Sequence, residues 1–286
     1  MVDDDEDIEI EEDEDEDAEA DDAAAPPDDV SLKPNETADD RAVVDSKIPQ
    51  AIRDKYEIHS YRSAAVILAE SRPAEFADLI QALTNFSITT AMIRKAGGNE
   101  SEMPKAFSKL LRPMGWHETT ISANLDVTLS WREPTVGSKG SKAKTVKQER
   151  IIKRTKYIDG HKVDYVKGKT AFDLEWNSKD QTFDRDLYAM AAFFQSGAID
   201  VGVLVTRSQS LDEVFKSVGP ALTKTGAVEM TKAGQPRPTK SKYGASTTWM
   251  GKLIYRLNAG RNAGCPILAV GITPAAVSDW PPPPTV

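Results

Sequence analysis

Hydrophobic positions first recur at a regular period near Tyr56, and from there the period divides the chain into elements. "SRPAEFADLIQAL" has a Ser ahead of a first-turn Pro and then sets Phe76, Leu79, Ile80 and Leu83 on one helical face. "SEMPKAFSKLLRPMGW" predicts a second helix, closed by Pro113 and Gly115. At "ISANLDVTLSW" the period falls to two, that of a strand, and "QERIIKRTKYIDGHKVDYVKGKTAFDLEW" predicts further strands with turns at Asp159-Gly160 and at Gly168. "FDRDLYAMAAFFQSG" returns to helix, with Asp184 as N-cap, Leu187, Met190, Ala191 and Phe194 as the apolar stripe, and Gly197 as the stop. The largely apolar "AIDVGVLVT" has the character of a strand covered on both faces. A helical "SLDEVFKSV", a second helix in "TTWMGKLIYRLNAG" and a last strand, "PILAVGIT", follow, and "WPPPP" is expected to be extended and exposed. Strands mixed with helices over about 230 residues predict one α/β domain with a mixed central β-sheet flanked by helices. Its expected bounds are residues 51–278, between a tail at 1–50 and a Pro-rich end at 279–286. No internal repeat is found.

One strand in this scheme carries unusual side chains. In "AFDLEWN", residues 171–177, Phe172, Leu174 and Trp176 share one face while Asp173 and Glu175 share the other. An ordinary half-buried strand with an acidic outer face is the simplest account of that alternation. Asp164, nine positions upstream, changes the account: a tight turn around Gly168 would pair the two strands and bring Asp164 close to Asp173 and Glu175. Three carboxylates in one place repel each other unless cations neutralise them, so the arrangement implies a hard metal such as Mg2+. An ion of that kind generates a hydroxide nucleophile and steadies the developing charge of a phosphodiester.

Composition separates the chain into two electrostatic parts. The first fifty residues hold 22 Asp and Glu against three Lys and Arg, a net −19, while the remainder holds 33 basic against 23 acidic residues, a net +10. The total of −9 therefore hides a basic body behind an acidic tail. The tail is poor in large apolar residues and self-repelling, so it is expected to be disordered. It serves as a solubilising spacer or, alternatively, mimics nucleic acid and competes for the basic surface. Acidic residues stand where a signal peptide would have a basic start and an apolar core. No apolar stretch approaches the roughly 20 residues needed to span a bilayer, so a cytoplasmic protein without membrane attachment is expected. The single cysteine, Cys265, excludes an internal disulfide and a cysteine-based zinc site, and its apolar neighbours predict a buried, inert thiol. "GSKGSK" lacks the spacing of a phosphate loop, and His59, His117 and His161 show no metal spacing.

The spacing of Asp164 to Asp173-x-Glu175 resembles the active-site pattern of PD-(D/E)xK nucleases. With the downstream residues included, the resemblance narrows. "VDYVKGKTAFDLEW", "DLYAMAAFFQSGAIDVGVLV" and "GRNAGCPILAVGITP" resemble, in the same order, segments of the BglII/BstYI group of type II restriction endonucleases, which is related to the BamHI type. "YEIHSYRSAAVIL…FADLIQAL…AFSKLLRPMGW" is similar to that group's N-terminal helices, so the likeness covers roughly residues 56–275. It implies a restriction-endonuclease-like core in which Asp164 matches the first metal-binding aspartate. Asp173 stands where the family has Glu, and Glu175 where close members have Gln and BamHI-type enzymes have Glu. Each departure keeps an oxygen ligand, and the shorter Asp173 puts the position of a second ion in question. Lys179 falls near a lysine used on DNA, or is a solvated turn residue. Glu118, in "GWHET", falls where relatives place a further acidic group, or is a surface carboxylate. Ser246 and Thr247 fall where the family reads base edges.

Two basic stretches, both expected to be loops, fit a DNA partner. Residues 132–156 hold nine Lys and Arg against two Glu, and residues 219–245 are similarly basic. Lys139, Lys142, Lys144, Arg237, Lys240 and Lys242 would displace counterions from phosphates, giving salt-sensitive binding. Both segments resemble insertions relative to the family. The resulting expectation is a Mg2+-dependent type II restriction endonuclease acting as a homodimer on double-stranded DNA, at a palindrome with a GATC core, in a system with a companion DNA methyltransferase. The alternatives are a catalytically degenerate DNA-binding module of the same fold, a repair or structure-specific nuclease, and an interaction protein organised by the acidic tail.

Overall fold

A computed structural model describes residues 37–95, 102–134 and 144–281. Folded structure starts before Tyr56: Arg41–Lys47 (α1) and Gln50–Lys55 (α2) are helices. The Asp40 carboxylate accepts from the Ala42 and Val43 amides at 2.8 and 3.3 Å, and Val44, Ile48 and Ile52 are buried. Residues 37–50 therefore do not belong with the acidic run, and the expectation of a disordered tail lies, for residues 1–36, outside the described residues. Tyr56–Tyr61 (β1), similar in sequence to a helix of the family, is a strand. Its six residues pair antiparallel with the last strand, a partner more than 200 residues away that no local pattern reveals.

The helical layer that follows comprises Ala64–Val66 (α3, continued by a wider turn through Ser71), Pro73–Asn85 (α4), Thr90–Arg94 (α5) and Glu102–Leu111 (α6). α4 buries Leu79, Ala82 and Leu83, with Phe76 and Ile80 packed at the margin, which is the stripe its spacing predicts. α6 ends in a turn at Arg112–Met114, and Gly115 takes a φ of 87° that a side chain resists. His117–Pro134 (β2), Thr145–Lys167 (β3) and Thr170–Glu175 (β4) come next, then Thr182–Gln195 (α7), Val201–Arg207 (β5), Asp212–Ser217 (α8), Met250–Asn258 (α9) and Ile267–Ile272 (β6).

The six strands form one mixed sheet in the order β1-β6-β5-β4-β3-β2, with β4, β5 and β6 parallel and the outer pairings antiparallel. Helices cover both faces. On one, Phe172, Leu174, Val203, Val205, Leu268 and Val270 pack with α1 to α6 and α8. On the other, Ala171, Leu204 and Ala269 pack with Phe183, Leu187 and Met190 of α7 and Leu253 and Leu257 of α9. The second face is close-fitting at Gly202, where an added Cβ would lie 2.6 Å from the Met190 sulfur.

Several expected boundaries move. Of the segment 132–156, residues 132–134 and 145–156 are not loop but strand, paired from Trp131↔Gln148 to Pro134↔Thr145 in β2 and β3, and residues 135–143 lie outside the described residues. Only Tyr165, Val166 and Lys167 of β3 pair with β4, so most of this hairpin stands clear of the sheet as a two-stranded ribbon. The alternation of Thr, Val and Ile with Lys and Arg supports strand here, as the period-two reading from Gln148 onward expects. Segment 219–245 is also ordered, by bridges Pro220↔Pro238, Leu222↔Val228 and Met230↔Pro236 and a turn at Thr239–Lys242. Asp184 is not the N-cap of α7; Gln181 holds that position, and Asp184 sits in the first turn bound to Arg256 at 3.0 Å and Arg261 at 2.7 Å. α9 starts at Met250 and not at Thr247. Trp280 packs partly against the core where exposure was expected, and residues 282–286 lie outside the described residues. Cys265 is buried, and burial pushes its thiol up to about 12.

Candidate active site

β4 positions the central carboxylates. Its alternation sends Phe172 and Leu174 into one core and turns Asp173 and Glu175 toward α7, but this acidic face is not an outer one. Asp173 is 4 % exposed and Glu175 6 %. Every β4 residue pairs with β5, from Thr170↔Val201 to Glu175↔Thr206, and α7 packs on this face, which removes the solvent that an ordinary acidic strand face would keep. The Thr206 hydroxyl donates to the Glu175 carbonyl at 2.7 Å, fixing the end of the strand.

The turn at Gly168, with φ 53°, reverses the chain from β3 into β4. The ladder runs Lys167↔Thr170, Val166↔Ala171, Tyr165↔Phe172, and the next position in that register sets Asp164 opposite Asp173. Asp164 lies close enough to Asp173 for its charge to act on the buried carboxyl. Asp164 is exposed where Asp173 is buried, so the pair leads from solvent into the interior.

A fourth acid joins them. Asp186, near the start of α7 and 1 % exposed, faces Glu175. Arg185 links the two: its Nη2 donates to Glu175 Oε1 at 3.1 Å and its Nε to Asp186 Oδ1 at 2.9 Å. Asp186 Oδ2 is buried with no hydrogen-bond partner. Sequence reasoning missed this residue because a charge in "FDRDLYAM" reads as the polar side of a helix. The signal was present in its position, since residues 183, 186, 187, 190 and 193 form one buried stripe.

Crowding and burial act together on these groups. Burial, then the charges of Asp186, Asp164 and Glu175, hold the Asp173 carboxyl well above the usual carboxylate range. Burial and the Glu175 carboxylate push Asp186 up to about 8 against the pull of Arg185. Two carboxyls facing each other attract only with a proton or a cation between them. As it stands, no group of three or more His, Cys, Asp or Glu among the described residues is arranged to hold a metal ion; the acids pair with one another instead. The donors still suit a hard divalent ion: all are oxygens, and one buried oxygen is orphaned.

Glu118 is exposed on β2 and bound to Lys162 at 3.0 Å; the acids acting on Asp173 are Asp186, Asp164 and Glu175. Lys179, Ser246 and Thr247 do come together. Lys179 bridges Thr247, the Asp180 amide donates to the Ser246 carbonyl at 2.9 Å, and the Thr248 amide donates to Ser178. Thr247 is held in place by its hydroxyl, which accepts from Arg207 Nη2 and donates to the Gly244 carbonyl, each at 2.8 Å. Arg207 is itself buried against the stacked rings of Phe215 and Tyr243, and burial lowers it to about 10. These residues adjoin the end of β4 beyond Glu175.

The basic segments divide. Lys139 and Lys142 lie outside the described residues, and Lys144 is exposed at the start of the outer hairpin strand. Arg237 and Lys242 both hold Glu229, at 2.7 and 2.6 Å, and Lys240 holds Asp212 at 2.7 Å. Their charges are engaged in folding the 219–245 segment.

A family model described as restriction endonuclease BglII/BglIII matches residues 56–272, from the first residue of β1 to the last of β6. No curated protein compared with the chain matches it.

Proposed function

The chain belongs to the restriction endonuclease BglII/BglIII family, and from that premise we propose that it is a Mg2+-dependent type II enzyme cutting both strands of a palindromic DNA site with a GATC core. Family membership makes it a nuclease that hydrolyses DNA at specific sites; the ion, the palindrome and its core are our reading. The observation that carries the reading is the buried pair Asp173 and Glu175 on β4 with Asp164 opposite Asp173 in the strand register, inside the matched span.

Asp164, Asp173 and Glu175 are the residues that would hold the ion. When bound, it supplies an activated water and offsets charge on the scissile phosphate. The protein's own share is to fix the ligands and exclude bulk water. β5 packs along β4 and α7 covers the carboxylates, so their charges act in a medium where electrostatic interactions are strong. Asp164, at the exposed end of the pair, is the group placed to meet solvent and substrate. Lys179 contacts the backbone, and Ser246 and Thr247 offer hydroxyls to base edges. Lys144, beside the hairpin, binds phosphates, as Lys139 and Lys142 in the same basic segment of the sequence would, whereas Arg237, Lys240 and Lys242 shape their own segment. A homodimer supplies the two-fold symmetry that a palindrome requires, and a companion methyltransferase protects the host's own sites.

A second reading, a DNA-binding module without turnover, draws on the carboxylates being paired with one another. Asp164→Ala separates the two. Loss of cleavage with gel-shift affinity for DNA retained supports the enzyme, and cleavage that survives the substitution contradicts the assignment of Asp164.

A further inference from the structure

We propose that Asp186 is a fourth carboxylate of the metal site, ligating a divalent cation through Oδ2 beside Glu175. The inference rests on the metal-dependent reading above and adds a residue that the strand motif does not contain.

Placement gives the first argument. α7 packs on the sheet face that carries Asp173 and Glu175, and near its N-terminal end it sets Asp186 against Glu175. Arg185 grips one oxygen of each acid and so sets the two carboxylates side by side. The second argument is what this leaves over. Oδ2 of Asp186, in a side chain 2 % exposed, receives no hydrogen bond from a donor group, and the Glu175 carboxyl beside this acid attracts it only with a proton or a cation between them. Charge is the third. Asp164, Asp173, Glu175 and Asp186 carry four negative charges when ionised, and Arg185 returns one, so the group is balanced far better by a dication than by Arg185 alone.

A purely structural role for Asp186 as an anchor for Arg185 accounts for less. The Arg185 side chain is 69 % exposed, and an ion pair with so exposed a partner gives little stability in return for burying an acid. Divalent ions of the Mg2+ class take several oxygen ligands, and an acid already oriented by a second residue is the usual form of such a ligand.

The test is Mn2+ binding to the full chain without DNA, measured by calorimetry, with the melting temperature read in EDTA and in Mn2+. Asp186→Asn keeps the shape of the side chain, and Asp186→Ala guards against misfolding of the first variant. We expect Mn2+ affinity to fall about tenfold or more in both. The Mn2+-induced rise in melting temperature shrinks accordingly, while the melting temperature in EDTA stays at or above that of the unsubstituted protein. Unchanged Mn2+ affinity in either folded variant overturns the proposal and leaves the metal reading standing. Two variants that both unfold in EDTA make Asp186 structural and also overturn it. An unsubstituted protein that binds no Mn2+ removes the metal reading and this inference together.

Discussion

At the scale of the residue, the site is governed by acids kept closer together than their charges favour. Asp186 holds its proton in the folded chain from its ordinary value of 3.8 up to about 8, a range in which the unfolded chain has lost it. Folding therefore takes up a proton in that window. The stability linked to it is full below about pH 4 and is lost as pH rises toward about 8. In EDTA the protein should melt at a higher temperature at pH 6 than at pH 8.5, and Asp186→Asn should flatten the trend. A melting temperature that climbs over that interval in EDTA contradicts the burial of these acids as protonated groups. Asp164, Asp173 and Glu175 were legible because two strands and one glycine turn fix their relation within twelve residues. Asp186 was not, because its meeting with Glu175 depends on how α7 crosses the sheet. Glu118, singled out by likeness to relatives, lies on β2 bound to Lys162.

At the scale of the element, period and turn chemistry identified α4, α6, α7, β4, β5 and β6 near their observed positions. What they could not supply was partnership across the chain. β1 looks helical until β6 pairs with it, and α1 and α2 are hidden beside the acidic run until Val44, Ile48 and Ile52 find the core. Phe172 shows how firmly β4 is held from its apolar side. It is fully buried, with the rings of Phe107 and Tyr165 at 5.2 and 5.7 Å. Phe172→Ala should cost about 3–5 kcal/mol of unfolding free energy, readable by urea titration, and a cost below about 1 kcal/mol would mean that the strand is not packed as described. The β2–β3 ribbon is an element of another kind. Cross-strand pairing sets Leu125, Val127, Leu129 and Trp131 on one face with Arg150 and Arg154. A two-stranded ribbon has little stability of its own, and one with cations beside exposed apolar residues is suited to lie against DNA. Replacing Arg150 and Arg154 by Glu should weaken DNA binding at low salt and reduce the slope of log affinity against log salt by about two, without changing the melting temperature. An unaltered slope would remove the ribbon from the interface.

At the scale of the whole molecule, a mixed sheet covered on both faces presents a carboxylate cluster on one side of its central strand, with Lys179, Ser246 and Thr247 gathered just beyond the strand's end. The described body is basic, and no helix among the described residues is long and apolar enough to cross a membrane. A two-fold pairing of such bodies would set two clusters on opposite strands of one duplex. The most direct test is digestion: purified protein incubated with unmethylated phage DNA in Mg2+, beside the same mixture in EDTA and beside Asp164→Ala. Discrete fragments that require both Mg2+ and Asp164 are the result expected, and their ends give the recognition sequence. DNA that is shifted in a gel yet remains intact in Mg2+ on several substrates would contradict the account.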